Sequence, residues 1–170
     1  FTVHAQWPVG DGNSPVSVAV GHLNEDSYLD LAVANYDDNS VSFLAGQADA
    51  GFAAAERIVV GLEPFSVQVG DLDGDGRQDI VTANSGSDTV SVLFANEDGS
   101  FGPAIHPAAG AEPSAVVTSD LDMDGDMDIV VSNTSSASIS VIRNMGGGTF
   151  ASPEAYSAGV YAVSLPYSLA

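Results

Sequence analysis

Apolar residues in this chain fall into short runs of strand length, bounded by segments rich in Asp, Asn, Gly and Ser. Three of these runs, "PVSVAVG" (15–21), "PFSVQVG" (64–70) and "PSAVVTS" (113–119), read as strands. After each comes a polar, acid-rich segment and then a second apolar run: "LDLAVAN" (29–35), "QDIVTAN" (78–84) and "MDIVVSN" (127–133). A third run, "VSFLA" (41–45), "VSVLFA" (90–95) or "ISVIR" (139–143), begins with the period-two alternation of a β-strand. Turn-rich "GQADAGF", "NEDGSF" and "NMGGGTF" then lead to a fourth extended stretch, such as "FGPAIHPAAG" (101–110). The composition of "FAAAER" (52–57) favours helix, but its place in the series is that of the fourth strand, and a strand is expected there.

The series repeats in phase. Pro15, Pro64 and Pro113 lie 49 residues apart, as do Asn35, Asn84 and Asn133, and Asp30, Asp79 and Asp128. Val41, Val90 and Ile139 keep the interval, and so do Phe52, Phe101 and Phe150. An ordinary β-sandwich has no reason to repeat in this way. Four antiparallel strands per unit describe a propeller blade, whose small sheet buries its faces against its neighbours. The chain is therefore expected to be all-β and to form one propeller segment. Its blades are placed at 15–63, 64–112 and 113–162, with an outer strand of a preceding blade at 1–14. The first strand of a following blade is placed at 163–170, after about four residues inserted relative to the repeat. Propellers close with roughly four to eight blades, so three suggest a fragment, with further blades supplied by the same parent chain or by an oligomer partner.

Composition narrows the partners. Of 170 residues, 23 are acidic and only 3 are Lys or Arg, a formal charge of −20, while 45% are hydrophobic. A surface so acidic repels nucleic acid and anionic membranes and attracts divalent cations. There is no cysteine, so neither disulfides nor thiolate metal sites hold the fold. No apolar run approaches the roughly 18 residues of a membrane-spanning helix. The chain opens on Phe1 with no signal-like segment, as a mature or excised piece of a protein would.

The acid is concentrated between the first and second strands of each unit. Asp71, Asp73, Asp75 and Asp79 occupy positions 1, 3, 5 and 9 of a nine-residue loop with Gly76 at position 6. Asp120, Asp122, Asp124 and Asp128, with Gly125, repeat the arrangement. Alternate side chains on a tight loop converge, and the glycine allows the turn that aims the position-7 carbonyl, of Arg77 or Asp126, inward. Six to eight hard oxygen ligands suit Ca2+, whereas Mg2+ wants a smaller and stricter octahedron. An EF-hand is excluded, because position 12 is Thr82 or Val131 inside a β-branched run, where a bidentate Glu is required. The first loop is the poorest match: His22, Asn24, Asp26, Tyr28 through its carbonyl, and Asp30 stand at the ligand positions, with Ser27 at position 6. A neutral imidazole is a poor calcium ligand, and Ser27 must either adopt a glycine-like conformation or distort the loop. Two calcium sites are thus expected, with the first loop a third and degenerate candidate.

DxDxDGxxD between two strands, repeated at this period, resembles the FG-GAP/VCBS repeats of integrin-α-like β-propellers. "DLDGDGRQDIVTAN" and "DLDMDGDMDIVVSN" carry the resemblance, "FGPA" (101–104) retains an FG, and "VAN", "TAN" and "VSN" replace GAP, as in bacterial-type members. The resemblance implies a propeller usually of seven blades. It implies Ca2+ ligation by the aspartates at 1, 3, 5 and 9 and the carbonyl at 7, with adhesion or recognition at a cell surface.

Other chemistry is thin. His4, His22 and His106 occupy different unit positions, and HExxH, GxSxG and phosphate-binding loops are absent. A single Trp7 in a terminal strand reads as packing, and Asn133-Thr134-Ser135 is a glycosylation sequon in form only. The recurring phenylalanines read as blade packing and the recurring asparagines as turn anchors. The expectation is a non-enzymatic, secreted or cell-surface calcium-binding domain with an extracellular protein or glycan ligand. A lectin-like propeller and an accessory domain of a larger secreted enzyme are the alternatives.

Overall fold

The computed structural model describes residues 8–9 and 14–158. Within them β1 (Pro15–Gly21), β2 (Asp30–Asn35), β3 (Ser40–Leu44) and β4 (Glu56–Val59) form an antiparallel sheet in chain order. β5 (Pro64–Gly70), β6 (Asp79–Asn84) and β7 (Thr89–Leu93) form the second sheet. β8 (Pro113–Ser119), β9 (Asp128–Asn133), β10 (Ser138–Ile142) and β11 (Glu154–Ser157) form the third. All regular structure among the described residues is strand. The extra strands expected over 1–14 and 163–170 lie almost wholly outside those residues.

The repeat reaches down to register. Each first strand opens on its proline opposite the repeated asparagine, as Pro15↔Asn35, Pro64↔Asn84 and Pro113↔Asn133. The register then shifts immediately after each proline. Proline has no N–H to give the ladder, so the first residue of a strand is where it does least harm. β4 begins only at Glu56, so of residues 52–57 the last two are strand; Phe52 makes an isolated bridge to Gly46, and residues 53–55 are neither strand nor helix.

The second unit departs from expectation, with three strands instead of four. Residues 101–110 lie along β7 but meet it only in the bridges Thr89↔Ala108 and Val92↔Ile105. Val92 and Ile105 exchange backbone bonds at 3.0 Å, and the Val90 N–H reaches the Pro107 carbonyl at 3.0 Å. Pro107 has no N–H to return, so the ladder is interrupted there.

Two apolar cores lie between the three sheets. Ala19, Leu23, Ala32, Val41 and Phe43 meet Val67, Ile80 and Leu93 between the first and second. Leu72, Val81, Val90 and Val92 meet Val116, Ile129, Val131 and Ile142 between the second and third. β6 is therefore buried on both faces, which explains why "IVTA" shows no alternation of buried and exposed positions; its one polar residue, Thr82, is buried with its hydroxyl donating to Asn84 at 2.8 Å. Phe101 and Phe150 pack against these cores, and the Phe43 and Phe101 rings meet edge-on at 5.5 Å across two sheets.

The asparagines form one motif three times. Asn35 Nδ2 donates to Ser40 and Ser42, Asn84 Nδ2 to Thr89 and Ser91, and Asn133 Nδ2 to Ser138 and Ser140. Each amide thereby ties the end of a second strand to the third, in a fully buried setting where unpaired polar groups are costly. The backbones of Gly61 and Gly110 press against Asn84 and Asn133, so closely that a Cβ at either glycine would come within 2.6 Å of the amide nitrogen.

Candidate metal centre

The three acid loops join β1 to β2, β5 to β6 and β8 to β9, all at the same end of the sheets. Position 2 of each is a leucine. Leu23 and Leu72 are buried in the cores between sheets, so the first two loops are pinned through their own apolar side chains.

In the second loop, oxygens of Asp71, Asp73 and Asp79 lie within 4.8 Å of one another. In the third, those of Asp120, Asp122 and Asp124 do the same. Each loop thus gathers three of the four expected carboxylates, and an arginine takes up the remaining one. Arg77 pairs with Asp75 in the second loop and donates through Nε to the Ala95 carbonyl at 3.1 Å. Arg143 donates to Asp128 at 2.7 Å in the third and stands 3.6 Å from Asp122. Asp126 enters that loop through its N–H, which donates to Asp124 at 2.9 Å.

Loop amides hold the carboxylates in place. Asp71 accepts from the N–H groups of Gly74 and Gly76, and Asp120 from Met123, Asp124 and Gly125. Gly76 (φ 90°) and Gly125 (φ 98°) take the left-handed geometry expected of position 6. Position 4 shares it, at Gly74 and, with strain, at Met123 (φ 63°).

The first loop takes another path. Ser27 is not among the described residues with positive φ, so the glycine-like turn is not reproduced. His22 Nδ1 lies 3.0 Å from the Tyr28 carbonyl, joining positions 1 and 7 directly. Asn24 accepts from the Asp26 N–H and Asp26 from the Tyr28 N–H, the same Asx-type bonds that Asp73 and Asp75 make in the second loop. His22, Asp26 and Asp30 do not gather as the aspartates of the other loops do.

Position 9 has a second role that ligand spacing alone does not reveal. Asp79 is fully buried and accepts from the Leu72 N–H at 2.8 Å and the Ala95 N–H at 2.9 Å, bracing its loop to the end of β7. Asp30 does the same for Leu23 and Gly46, and Asp128 for Leu121 and Asn144. The signal lay in the alignment: Asp30 persists in a loop whose positions 1 and 3 are His and Asn.

At the opposite end of the sheets a groove of about 720 Å³ is lined by residues including Tyr36, Glu63, Phe65, Glu112 and Thr134. Tyr36 donates to Glu63 at 3.0 Å and meets Phe65 edge-on at 6.2 Å. Glu63 and Glu112 stand one repeat apart in this groove, but Tyr36 and Phe65 give way to Ser85 and Ser114 one repeat later, so its aromatic wall leaves no repeating signal in the sequence.

The FG-GAP-like repeat model matches residues 22–82 and again 71–131. The chain belongs to the FG-GAP-like repeat family. The two matches are offset by one repeat, and each begins at position 1 of an acid loop. Among solved structures, BBS1N in its complex with ARL6DN is similar at 13% identity and a TM-score of 0.54, over 84% of this chain and 43% of that one. The Photorhabdus luminescens Tc holotoxin pore is similar at 21% identity and a TM-score of 0.44, over 78% of this chain and 6% of that one. This FG-GAP-like chain thus spans less than half the length of either neighbour. No curated protein matches it.

Electrostatics in the second FG-GAP-like loop disfavour the charged form of two of its carboxylates. Burial pushes the Asp79 carboxyl up to about 6, against its two backbone hydrogen bonds. Asp73 is also raised, by desolvation first and then by the charges of Asp75 and Asp71. Without metal, Asp79 in the folded chain keeps a proton that the unfolded chain releases. The stability linked to it is complete below pH 3.8 and disappears as pH rises through about 6. Denaturation of metal-free protein at pH 4, 5, 6 and 7 checks this, with an Asp79→Asn variant expected to flatten the change.

Proposed function

We propose that this chain is a non-catalytic, calcium-stabilised propeller segment of a secreted or cell-surface protein, serving adhesion or recognition. The observation that carries the calcium reading is the convergence, in two loops, of three carboxylates with oxygens within 4.8 Å of one another. Arg77 pairs with Asp75, and Arg143 with Asp128 and, at 3.6 Å, with Asp122; one guanidinium beside three gathered carboxylates leaves each cluster an excess of negative charge. A hard divalent cation with oxygen ligands offsets that repulsion, and Ca2+ tolerates irregular loop geometry better than Mg2+. Asp71, Asp73 and Asp79 would hold one ion and Asp120, Asp122 and Asp124 the other. The family resemblance supplies the adhesive role and the location outside the cell.

Calorimetric titration tests the reading. Two Ca2+ per chain are expected, with Mg2+ binding more weakly, and Asp73→Asn and Asp122→Asn each removing one site. A chain that takes up no calcium would overturn it. The groove with Tyr36 and Phe65 favours a lectin-like second reading, since aromatic faces beside carboxylates suit sugar rings and hydroxyls; a glycan array separates the two.

A further inference from the structure

The turn that follows β10 is wedged between the second and third acid loops. Asn144, near its start, is 2% exposed. Its N–H donates to Asp128 at 2.9 Å and its Nδ2 to the Met127 carbonyl at 3.2 Å, which are positions 9 and 8 of the third loop. The same Nδ2 donates to the Leu72 carbonyl at 2.7 Å, position 2 of the second loop. Oδ1 accepts from the Gly146 N–H at 3.2 Å, so the whole side-chain amide is in use. Further along the turn, a Cβ on Gly146 would lie 3.4 Å from Asp126, and one on Gly148 would lie 3.3 Å from Asp73. One short segment thus touches both of the loops whose carboxylates gather. The residues in the place of Asn144 one and two repeats earlier are Ala95 and Gly46, which have no amide to give. Gly99 faces Asn24 of the first loop as Gly148 faces Asp73, but Ala95 beside it has no side chain with which to hold a carbonyl of that loop.

We propose that Asn144 is a positioning residue that couples the second and third loops, so that a divalent cation held in one tightens the other. The proposal rests on the calcium reading above. A cation drawn in by Asp120, Asp122 and Asp124 stills the third loop, including the Asp126 N–H that Asp124 accepts at 2.9 Å. Asn144, tied to Met127 and Asp128, is then held in one orientation, and with it the Leu72 carbonyl. The Leu72 N–H is already held by Asp79 at 2.8 Å, so both backbone groups between Asp71 and Asp73 are fixed before a second ion arrives. Ordering is then met once for two ions, which is positive coupling without a change of shape. Linkage makes it reciprocal: an ion in the second loop tightens the third by the same factor.

Native mass spectrometry through a calcium titration reads the coupling, because it counts ions on each chain. Independent sites leave at least half of the chains singly loaded at half saturation, whereas coupling of about 5-fold or more is expected to lower that share to about one third or less. Asn144→Ala, which installs the residue that the second unit carries there, returns the share to half or more. Hydrogen exchange gives a readout that a merely structural role would not move. In Asp73→Asn calcium loads the third loop alone, yet exchange at the Gly74 and Gly76 amides of the second is expected to slow by about 5-fold or more. Adding Asn144→Ala removes that slowing. The exchange of Asp73→Asn alone needs no change at Asn144, so the test stands even where the alanine variant is unstable. A wild-type singly loaded share of half or more, or second-loop exchange indifferent to calcium in Asp73→Asn, overturns the coupling and leaves the calcium reading standing. Failure to take up calcium at all overturns both.

Discussion

Chelation of calcium is expected to lower the thermal midpoint of this chain by about 10–20 °C. A ligand present at about 100 times its dissociation constant adds about 2.7 kcal/mol per site. Two sites therefore contribute about 5 kcal/mol, and for a chain of this size each kcal/mol moves the midpoint by about 2–4 °C. Differential scanning calorimetry in excess Ca2+, in chelator, and in chelator followed by Ca2+ or Mg2+ reads the effect directly. Calcium restores the midpoint in full and magnesium only in part, because the smaller ion gives up its waters reluctantly. An identical midpoint with and without chelator is the result that sinks the assignment. The second and third loops are where the gain is expected. The first is already closed by the His22 contact with the Tyr28 carbonyl, so His22→Ala leaves the calcium increment as it was.

Asp79→Ala carries the other large effect, and much of it is independent of any ion. The substitution strips the Leu72 and Ala95 amides of their acceptor in a fully buried setting. Each orphaned amide costs about 1–3 kcal/mol, giving a loss of about 2–6 kcal/mol even in chelator. Asp30→Ala removes the same brace from Leu23 and Gly46 in a loop whose acidic side chains do not gather. Urea denaturation of both variants, each with and without Ca2+, separates the two roles. Both are destabilised in chelator, while only Asp79→Ala also loses most of one site's calcium increment. An Asp79→Ala variant as stable as wild type in chelator would show that the brace is not needed.

The sheets, their order and the place of the acid loops were legible because the repeat samples one local pattern three times. Glu56 and Arg57 show the benefit: in isolation "FAAAER" reads as helix, and its place in the repeat pointed to the strand that begins at Glu56. The same alignment misled in the second unit. Pro107 is local to that unit, and a missing N–H outweighs what the neighbouring units do. In the loops, spacing identified the converging aspartates but not which one each arginine would remove from the cluster. That depends on distance across the fold: Arg143, 15 residues beyond Asp128, reaches it from the end of β10. The reach of Asn144 to Leu72 was equally illegible, since the same place holds Gly46 and Ala95 in the earlier units.

The duty of position 9 has a consequence for how such chains change over generations. Position 9 serves the fold in every loop, through the buried brace at Asp30, Asp79 and Asp128, whereas positions 1 and 3 carry no such brace and shape what the loop encloses. Positions 1 and 3 can therefore differ without loss of the sheet where the loop has another closure. Residues 22–30 are such a case, with imidazole and carbonyl in mutual contact. Under the calcium reading proposed above, whether a loop demands a cation is therefore set separately in each unit, while the sheets keep the same order and register.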